Sequence, residues 1–456
     1  MSHTILERYQ KVFSKDRELA QRANPIFPDG VTHDSRHADP FPIYIDRAEG
    51  SKKWGIDGKA FIDYWAGHGS LLLGHSPPQI VQAVTHQMPR GTHLGACHPL
   101  ELEWASLVMT LIPSAERVRF VSSGTEATLM AIRLARTYTG KNKLLKFAGH
   151  FHGWHDSVIL GTYPPYEAPV PGIPQGIIDT TIICPPNDID AVENCLRNDT
   201  DIACVILEPT GVNFGIVPTN GDFLTQLREI TLDYGVLLIF DEVITGFRVA
   251  PGGAQGYYHI TPDLTTLAKI LAGGLPGGAL VGKKEIVNLI SIREEERFQR
   301  GKKMPHPGTF NANPLSASAG IATLKIVKTG VPHEQVNHTA AMLRDGLNEV
   351  IDQHGLDWAV YGEFSGIKFL IGHGVHEMRA ADFDPYAWDY RKLKGSGTKE
   401  LFMNLRCGLL LNGVDISGGG GMTTAAHTEE DVQQTIAAFE QTIEWMEEDG
   451  VIKRNA

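Results

Sequence analysis

Three places in this 456-residue chain join residue type to a neighbourhood that suggests chemistry. The stretch FDEVITGFR, residues 240–248, ends an apolar run on two acids, Asp241 and Glu242. A carboxylate at a buried strand end is costly to keep charged unless a cation pairs it, and a protonated heterocyclic nitrogen is such a cation. Twenty-eight residues later, Lys269 stands between a short apolar run and the glycine-rich AGGLPGG. A lysine that is desolvated and close to other positive charge has a lowered pKa, which makes it nucleophilic toward a carbonyl. In SSGTEATLMA, small residues stand where a strand gives way to a helix. Gly124 and Thr125 can there offer backbone N–H groups and a hydroxyl to a phosphate, helped by the helix dipole, with a plain capping turn as the alternative. Phosphate cradle, partner for a pyridinium nitrogen and imine-forming lysine are together what pyridoxal phosphate requires.

These residues need a frame. From about residue 117, short apolar runs alternate with helical stretches: VRFVSSG, TEATLMAIRLARTYTG, KLLKFAG, IACVILEP, GDFLTQLREITLDYG and VLLIFDEV. The alternation predicts a mainly parallel sheet with helices on both faces. Ligands of such sheets gather outside the carboxyl ends of the strands, where SSGT, EPTG and DEV all fall. After about residue 315 the pattern turns to amphipathic helices, with short strands and a terminal helix near TEEDVQQTIAAFEQTIEWMEEDG, which predicts a smaller C-terminal domain. The N-terminus reads as an amphipathic helix followed by a small hairpin with turns at Glu49–Gly50 and Asp57–Gly58. Residues 161–180 and 385–397 are expected to be irregular loops. The expected division is residues 1–65 as a segment joining the small domain, 66–325 as the large domain and 326–456 as the C-terminal small domain.

Composition narrows the class further. A net charge of −12 and a pI of about 5.9, with no basic run, argue against a nucleic-acid partner. No stretch approaches the roughly 18 uninterrupted apolar residues of a membrane span, and no cleaved signal is read, so the expectation is a cytoplasmic protein. Five cysteines without a CxxC pair favour neither a disulfide framework nor a zinc site. GGALVGKK nearly fits a P-loop, but Lys284 occupies the Ser or Thr position. His150, His152 and His155 in GHFHGWHD suggest a metal cluster, yet lack an acidic or thiol partner at metal-site spacing, so no metal is expected.

From about residue 28 to 432 the chain resembles the class III pyridoxal-phosphate aminotransferases of fold type I. Within them it is similar to the branch of glutamate-1-semialdehyde aminomutase and D-phenylglycine aminotransferase. PDGVTHDSR, SSGTEA, GHFHGWHD, EPTGVNFG, HPGTFNANP and AAHTEEDV carry the likeness in order. The resemblance implies an α/β fold: a large domain with a mainly parallel seven-stranded sheet, and a smaller α+β domain built from the N- and C-terminal segments. It implies Ser123, Gly124 and Thr125 at the cofactor phosphate, and Phe151 stacked over the ring, where many relatives carry tyrosine, with His152 beside it. Glu208 and Asn213 would lie near the ring's 3-hydroxyl, Asp241 would pair the ring nitrogen, Val243 would pack on the opposite face and Lys269 would form the Schiff base. Thr309 would reach the phosphate of the neighbouring subunit's cofactor, making a homodimer obligatory.

The activity implied is ping-pong exchange of an amino group between an amino acid or related amine donor and a keto acid or aldehyde acceptor. A 2,1-aminomutase of glutamate-1-semialdehyde type, or an ammonia-lyase or epimerase, is the alternative on the same scaffold. Arg36 aligns with an arginine that grips a substrate carboxylate, a role suited to a guanidinium, with a surface salt bridge as the competing reading. His33 replaces a small hydroxyl residue of the aminomutase, and His68 would face the site or only pack. Gly418–Gly421 stand where the aminomutase has a gating glutamate and some transaminases an arginine. That departure counts against an aminomutase that retains its intermediate.

Overall fold

The apolar runs of the sequence become the strands of one seven-stranded sheet in the computed structural model, which describes residues 4–374, 378–395 and 397–453. Across the sheet the strands lie in the order Arg117–Val121, Gly278–Gly282, Leu264–Ala268, Leu237–Glu242, Ile202–Leu207, Lys143–Phe147 and Thr181–Cys184. All run parallel except Gly278–Gly282, which is antiparallel to both its neighbours. Period-two alternation sends successive side chains to opposite faces. Leu144, Ile206 and Ile239 pack against the helix Gly124–Thr139, while Leu145, Phe147, Val205, Leu238 and Phe240 pack against the helix Gly221–Asp233 on the other side.

Register then decides what meets at the carboxyl edge. Asp241 pairs with Thr266, Glu242 with Leu267, Ala268 with Gly278 and Gly278 with Val121. The residues that leave these strands, Ser122 to Thr125, Lys269 and Val243, therefore converge on one side of the sheet.

The N- and C-terminal segments build a second layer together. The expected single N-terminal helix is two, Ile5–Val12 and Ser14–Ala23, broken at Phe13. Ile5, Tyr9 and Phe13 insert into a core with Leu405, Leu409 and Phe439 from the C-terminal helices. The expected hairpin is a three-strand meander, Ile45–Glu49, Lys52–Gly55 and Ala60–Asp63, with Gly50 and Gly58 at positive φ in its turns. Val414–Asp415 adds to it in parallel beside Ile62–Asp63, so residues more than 350 apart share one sheet. A third sheet holds Ala359–Tyr361, Gly366–Leu370 and Gly420–Met422.

Residues 161–180 are irregular apart from the short helix Gln175–Ile178. The expectation of a second irregular loop at 385–397 is corrected: Pro385–Ala387 forms a 3-10 turn and Tyr390–Gly395 a helix, because Leu393 and Tyr390 pack with Val212, Tyr361 and Phe383. Among the described residues no helix is long and apolar enough to cross a membrane.

Candidate active site

The helix Gly124–Thr139 starts with a complete side-chain cap. Ser123 Oγ accepts from Glu126 N, and Glu126 Oε2 accepts from Ser122 N at 2.6 Å. The first-turn N–H groups of Gly124 and Thr125 have no carbonyl partner inside the helix and lie at its positive end. Gly124 also has no room for a side chain: a Cβ there would lie 2.9 Å from both methyl groups of Val243. Gly124→Ala should push Val243 into the cavity and weaken cofactor binding about tenfold, while leaving the fold intact. Titration of apoprotein with pyridoxal phosphate measures this, and unchanged affinity would remove Val243 from the cofactor's surroundings.

At the next strand end, Asp241 Oδ1 accepts from Thr266 Oγ1 at 2.9 Å and from Val243 N at 3.1 Å, and Oδ2 lies 2.7 Å from His152 Nδ1. Burial, with Lys146 and His155 nearby, holds His152 well below the usual imidazole range. The neutral ring therefore donates its Nδ1–H to Asp241. Even with these donors, and with Lys269 also favouring the charged form, burial pushes Asp241 up to about 6. Among the described residues the carboxylate has no charged cation in direct contact, and a protonated ring nitrogen would supply one.

Lys269 leaves its strand at φ +53°, a left-handed conformation that costs a non-glycine residue about 1–2 kcal/mol. Burial pushes its ammonium down to about 8, against the opposing charges of Asp241 and Glu208. A fraction of the free amine is thus present near neutral pH, as a carbonyl-attacking lysine requires. Glu208 Oε1 accepts from Phe151 N at 2.9 Å and Asn213 N at 3.2 Å, joining two turns at the cavity's edge, and burial raises it to about 7.

The three histidines of GHFHGWHD diverge to separate partners. His150 Nδ1 accepts from Glu208 N at 3.0 Å, His152 holds Asp241, and His155 Nε2 lies 3.2 Å from Thr128 Oγ1. Among the described residues no group of three His, Cys, Asp or Glu side chains could hold a metal ion.

These groups line a cavity of about 400 Å³. Gly124, Thr125, Phe151, His152, Glu208, Asp241, Val243 and Lys269 all reach it. Ser123 is occupied by its capping role, and Ser122 lines the cavity in its place. Asn213 contributes through its backbone: its N–H goes to Glu208 and its carbonyl accepts from Lys368 Nζ at 3.0 Å. Thr309 lies outside this cavity and is exposed, its carbonyl 2.8 Å from His93 Nε2. Arg36 and His68 line an adjoining cavity of about 590 Å³, and His33 is tied to it through Ser35.

Other residues at the site carry no sequence signal that singles them out. Ser70, Ile244 and the turn Gly274–Gly277 complete the first cavity. Lys146, fully buried, donates to the carbonyls of His150, Val158 and Leu160, bracing the loop that carries Phe151 and His152. Buried Arg248 bonds Gly69 O at 2.8 Å and Ser365 Oγ at 3.1 Å, joining three stretches of chain. In the glycine run, a Cβ on Gly420 would lie 2.0 Å from Ile367 O and one on Gly421 2.6 Å from Tyr64 O.

The donor set fits pyridoxal phosphate. A helix N-terminus could take the phosphate, Asp241 could pair the ring nitrogen, Phe151 and Val243 could flank the ring, and Lys269 lines the same cavity and could meet the aldehyde carbon.

Known proteins bear on the same point. The class-III aminotransferase family model matches residues 33–368. The glutamate-1-semialdehyde 2,1-aminomutase of Methanopyrus kandleri is 39% identical over 444 residues, which cover 96% of this chain and 99% of that protein. An omega-transaminase from Sphaerobacter thermophilus superposes with a TM-score of 0.84 at 31% identity, covering 96% of this chain and 98% of its own. A transaminase solved with pyridoxal phosphate bound gives 0.86 at 29%, with 96% and 99% covered. With so nearly complete a match in sequence and in fold, the chain belongs to the class-III aminotransferases, pyridoxal-phosphate enzymes of fold type I.

Proposed function

We propose that this chain moves an amino group on a small substrate through Lys269, and that the 2,1-aminomutase reaction on glutamate-1-semialdehyde is the form it takes. The curated relatives, matched over nearly their whole length, favour that form over the two-substrate transamination that the family resemblance implied. The observation that carries the amino-transfer reading is the placement of Asp241 and Lys269 at the ends of two adjacent strands, with Gly124 two strands further along the same edge of the sheet, all around one cavity.

Bound there, pyridoxal phosphate supplies an electron sink for the pair released when a C–H bond beside the amine breaks. The residues do the rest. Asp241, held in place by Thr266, Val243 and His152, would keep a proton on the ring nitrogen. Lys269 Nζ would hold the cofactor's aldehyde and, once freed by the substrate amine, would be the base that takes and returns a proton at the substrate carbon. Phe151 and Val243 would hold the ring between them and so orient the substrate beside Lys269. Ser122, Gly124, Thr125 and the neighbouring subunit's copy of Thr309 would hold the phosphate in a cytoplasmic homodimer.

Two-substrate transamination is the second reading. It is favoured by the glycine run Gly418–Gly421, which carries no charged side chain, and where a Cβ at Gly420 or Gly421 would meet a backbone carbonyl. One experiment separates the two. Glutamate-1-semialdehyde is added to cofactor-loaded protein with no acceptor present. Steady accumulation of its amino isomer is expected for the mutase. A single conversion of the visible cofactor band to the pyridoxamine form, which resumes only when a keto acid or aldehyde is added, would establish the transaminase. Failure of every amine tested to perturb the band would sink both.

A further inference from the structure

Two lysines of the C-terminal segment are drawn into the protein with no acid beside them. Lys368, on the strand Gly366–Leu370, is 6% exposed, and its ammonium donates to the carbonyl of Asn213 at 3.0 Å. Lys394, on the helix Tyr390–Gly395, donates to Gly149 O at 2.6 Å and to Thr162 O at 2.8 Å. Among the described residues neither has a carboxylate within ion-pair distance. A buried ammonium satisfied by carbonyls alone is costly to keep charged. The acid whose charge opposes that cost is the same for both, Glu208.

The carbonyls they hold belong to two turns that meet on that acid. Asn213 at φ +46° and Phe214 at φ +62° stand left-handed between Gly211 and Gly215, a conformation that persists only where its surroundings over-determine it. Asn213 gives its N–H to Glu208 Oε1 at 3.2 Å and its carbonyl to Lys368. The other turn is the loop that carries Phe151 and His152. Its ends are joined by Gly149 N donating to Gly161 O at 2.8 Å, and Lys394 bonds both Gly149 O and Thr162 O. Phe151 N within it donates to the same Glu208 Oε1 at 2.9 Å. Each turn is thus tied to Glu208 by an N–H and to a C-terminal lysine by a carbonyl.

The charges around Glu208 set how firmly it accepts. Lys146 and Lys269 bear on it as well, Asp241 opposes its ionisation, and Arg248 bears on Lys368. His150, whose Nδ1 lies 4.0 Å from Oε1, and His152 are both held neutral by burial. Burial brings Glu208 up to about 7, with Lys394 among the groups that restrain the rise. Near neutral pH the loss of one cation therefore tips Glu208 toward its neutral acid, which is the weaker acceptor.

We propose that Lys368 and Lys394 are positioning residues for the cofactor: they keep Glu208 a carboxylate and, through it, hold the Phe151 loop and the Asn213 turn together at the cavity. The proposal rests on the amino-transfer reading above and adds to it a control by the C-terminal segment. Every residue that lines the cavity lies between Ser70 and Gly277, so the two lysines are a route by which that segment governs it. The arrangement is a relay. Loss of Lys368, which bonds only the Asn213 turn, loosens Phe151 in the other one, and loss of Lys394 loosens Asn213.

The test is hydrogen–deuterium exchange of the full chain loaded with pyridoxal phosphate, read in peptides containing Phe151 and Asn213. Lys368→Met keeps an apolar stem and removes the charge. Near neutral pH it should cut the protection of Phe151 N–H about tenfold, and Lys394→Met should do the same to Asn213 N–H. Raising the pH should restore these distant protections, because Glu208 then ionises without the missing cation. In a Glu208→Gln background neither lysine change should cross to the other turn. Where a methionine variant does not fold, Lys368→Gln and Lys394→Gln keep a donor for the carbonyls while removing the charge, and should show the same crossed loss. Loosening confined to the turn each lysine touches, a crossed loss that pH does not reverse, or the same crossing in Glu208→Gln would each overturn the proposal. If the chain takes up no pyridoxal phosphate, the proposed function fails, and exchange on the cofactor-free chain decides this proposal by the same pattern.

Discussion

Replacing Lys269 with alanine should abolish turnover, by at least about four orders of magnitude, while the protein still folds and still binds pyridoxal phosphate non-covalently. Two tasks fall on this one amine. In the proposed reaction it would bond the cofactor's aldehyde carbon and, once displaced, would be the base that moves the proton. Proton transfer by a positioned side chain alone is worth about 10²–10⁴ in rate. The structure makes substitution by another residue difficult: Lys269 stands at φ +53° between the strand Leu264–Ala268 and a tight glycine turn, with Asp241 and Glu208 opposing its loss of charge. The check is twofold. The visible absorbance of the covalently held cofactor should be missing from Lys269→Ala, and single-turnover mixing with any substrate should leave product undetectable. A Lys269→Ala enzyme with measurable steady turnover would mean that another base moves the proton. A small primary amine added in solution should restore part of the activity if the fold is otherwise undisturbed.

The parts of this site that were legible in the sequence are those in which one residue type has few uses in its local setting. An acid closing an apolar strand, a lysine before a glycine turn and small residues at a strand–helix junction each carry a physical demand that can be read without coordinates. The mainly parallel sheet was legible for a similar reason, since its buried strands have to be short continuous apolar runs, while its count of seven strands followed only from the family resemblance. What escaped depends on register and on distant packing. Thr266 reaches Asp241 because two strands align at that residue pair, and nothing in TTLAK announces it. Ser122 rather than Ser123 lines the cavity because the N-cap uses the second serine's hydroxyl, a choice between adjacent identical residues that only backbone geometry makes. Lys146 looks like a surface lysine by type, yet it is buried under the carbonyls of the loop that bears His152. The helix Tyr390–Gly395 was hidden because its polar sequence forms a helix only where Leu393 docks into a cluster drawn from four other stretches of chain.

Asp241→Asn should leave the cofactor bound but reduce turnover by about three orders of magnitude, because a neutral amide cannot hold the ring nitrogen protonated. Stability provides a second, independent reading. Burial raises the folded-state pKa of Asp241 from an ordinary 3.8 to about 6, so the folded protein without cofactor holds this proton more tightly than the unfolded chain does. The sign follows: below pH 4 the group is protonated in both states and costs nothing, and as pH rises from there through 6 the folded state loses stability relative to the unfolded. For a fully buried group the full loss is about 3 kcal/mol. The amide of the Asp241→Asn variant has no such titration, so the wild-type curve of unfolding free energy against pH, taken relative to that variant, should slope downward across the window. Adding pyridoxal phosphate should reverse the slope, because a ring cation favours the ionised carboxylate and pulls its pKa below the unfolded value. Wild type and variant tracking each other across pH, with and without cofactor, would show that Asp241 is not the acid that meets the ring. A reversed slope with cofactor would tie the carboxylate to the ring nitrogen by a measurement in which no substrate takes part, and the loss of turnover could then be assigned to charge on the ring rather than to a disturbed fold.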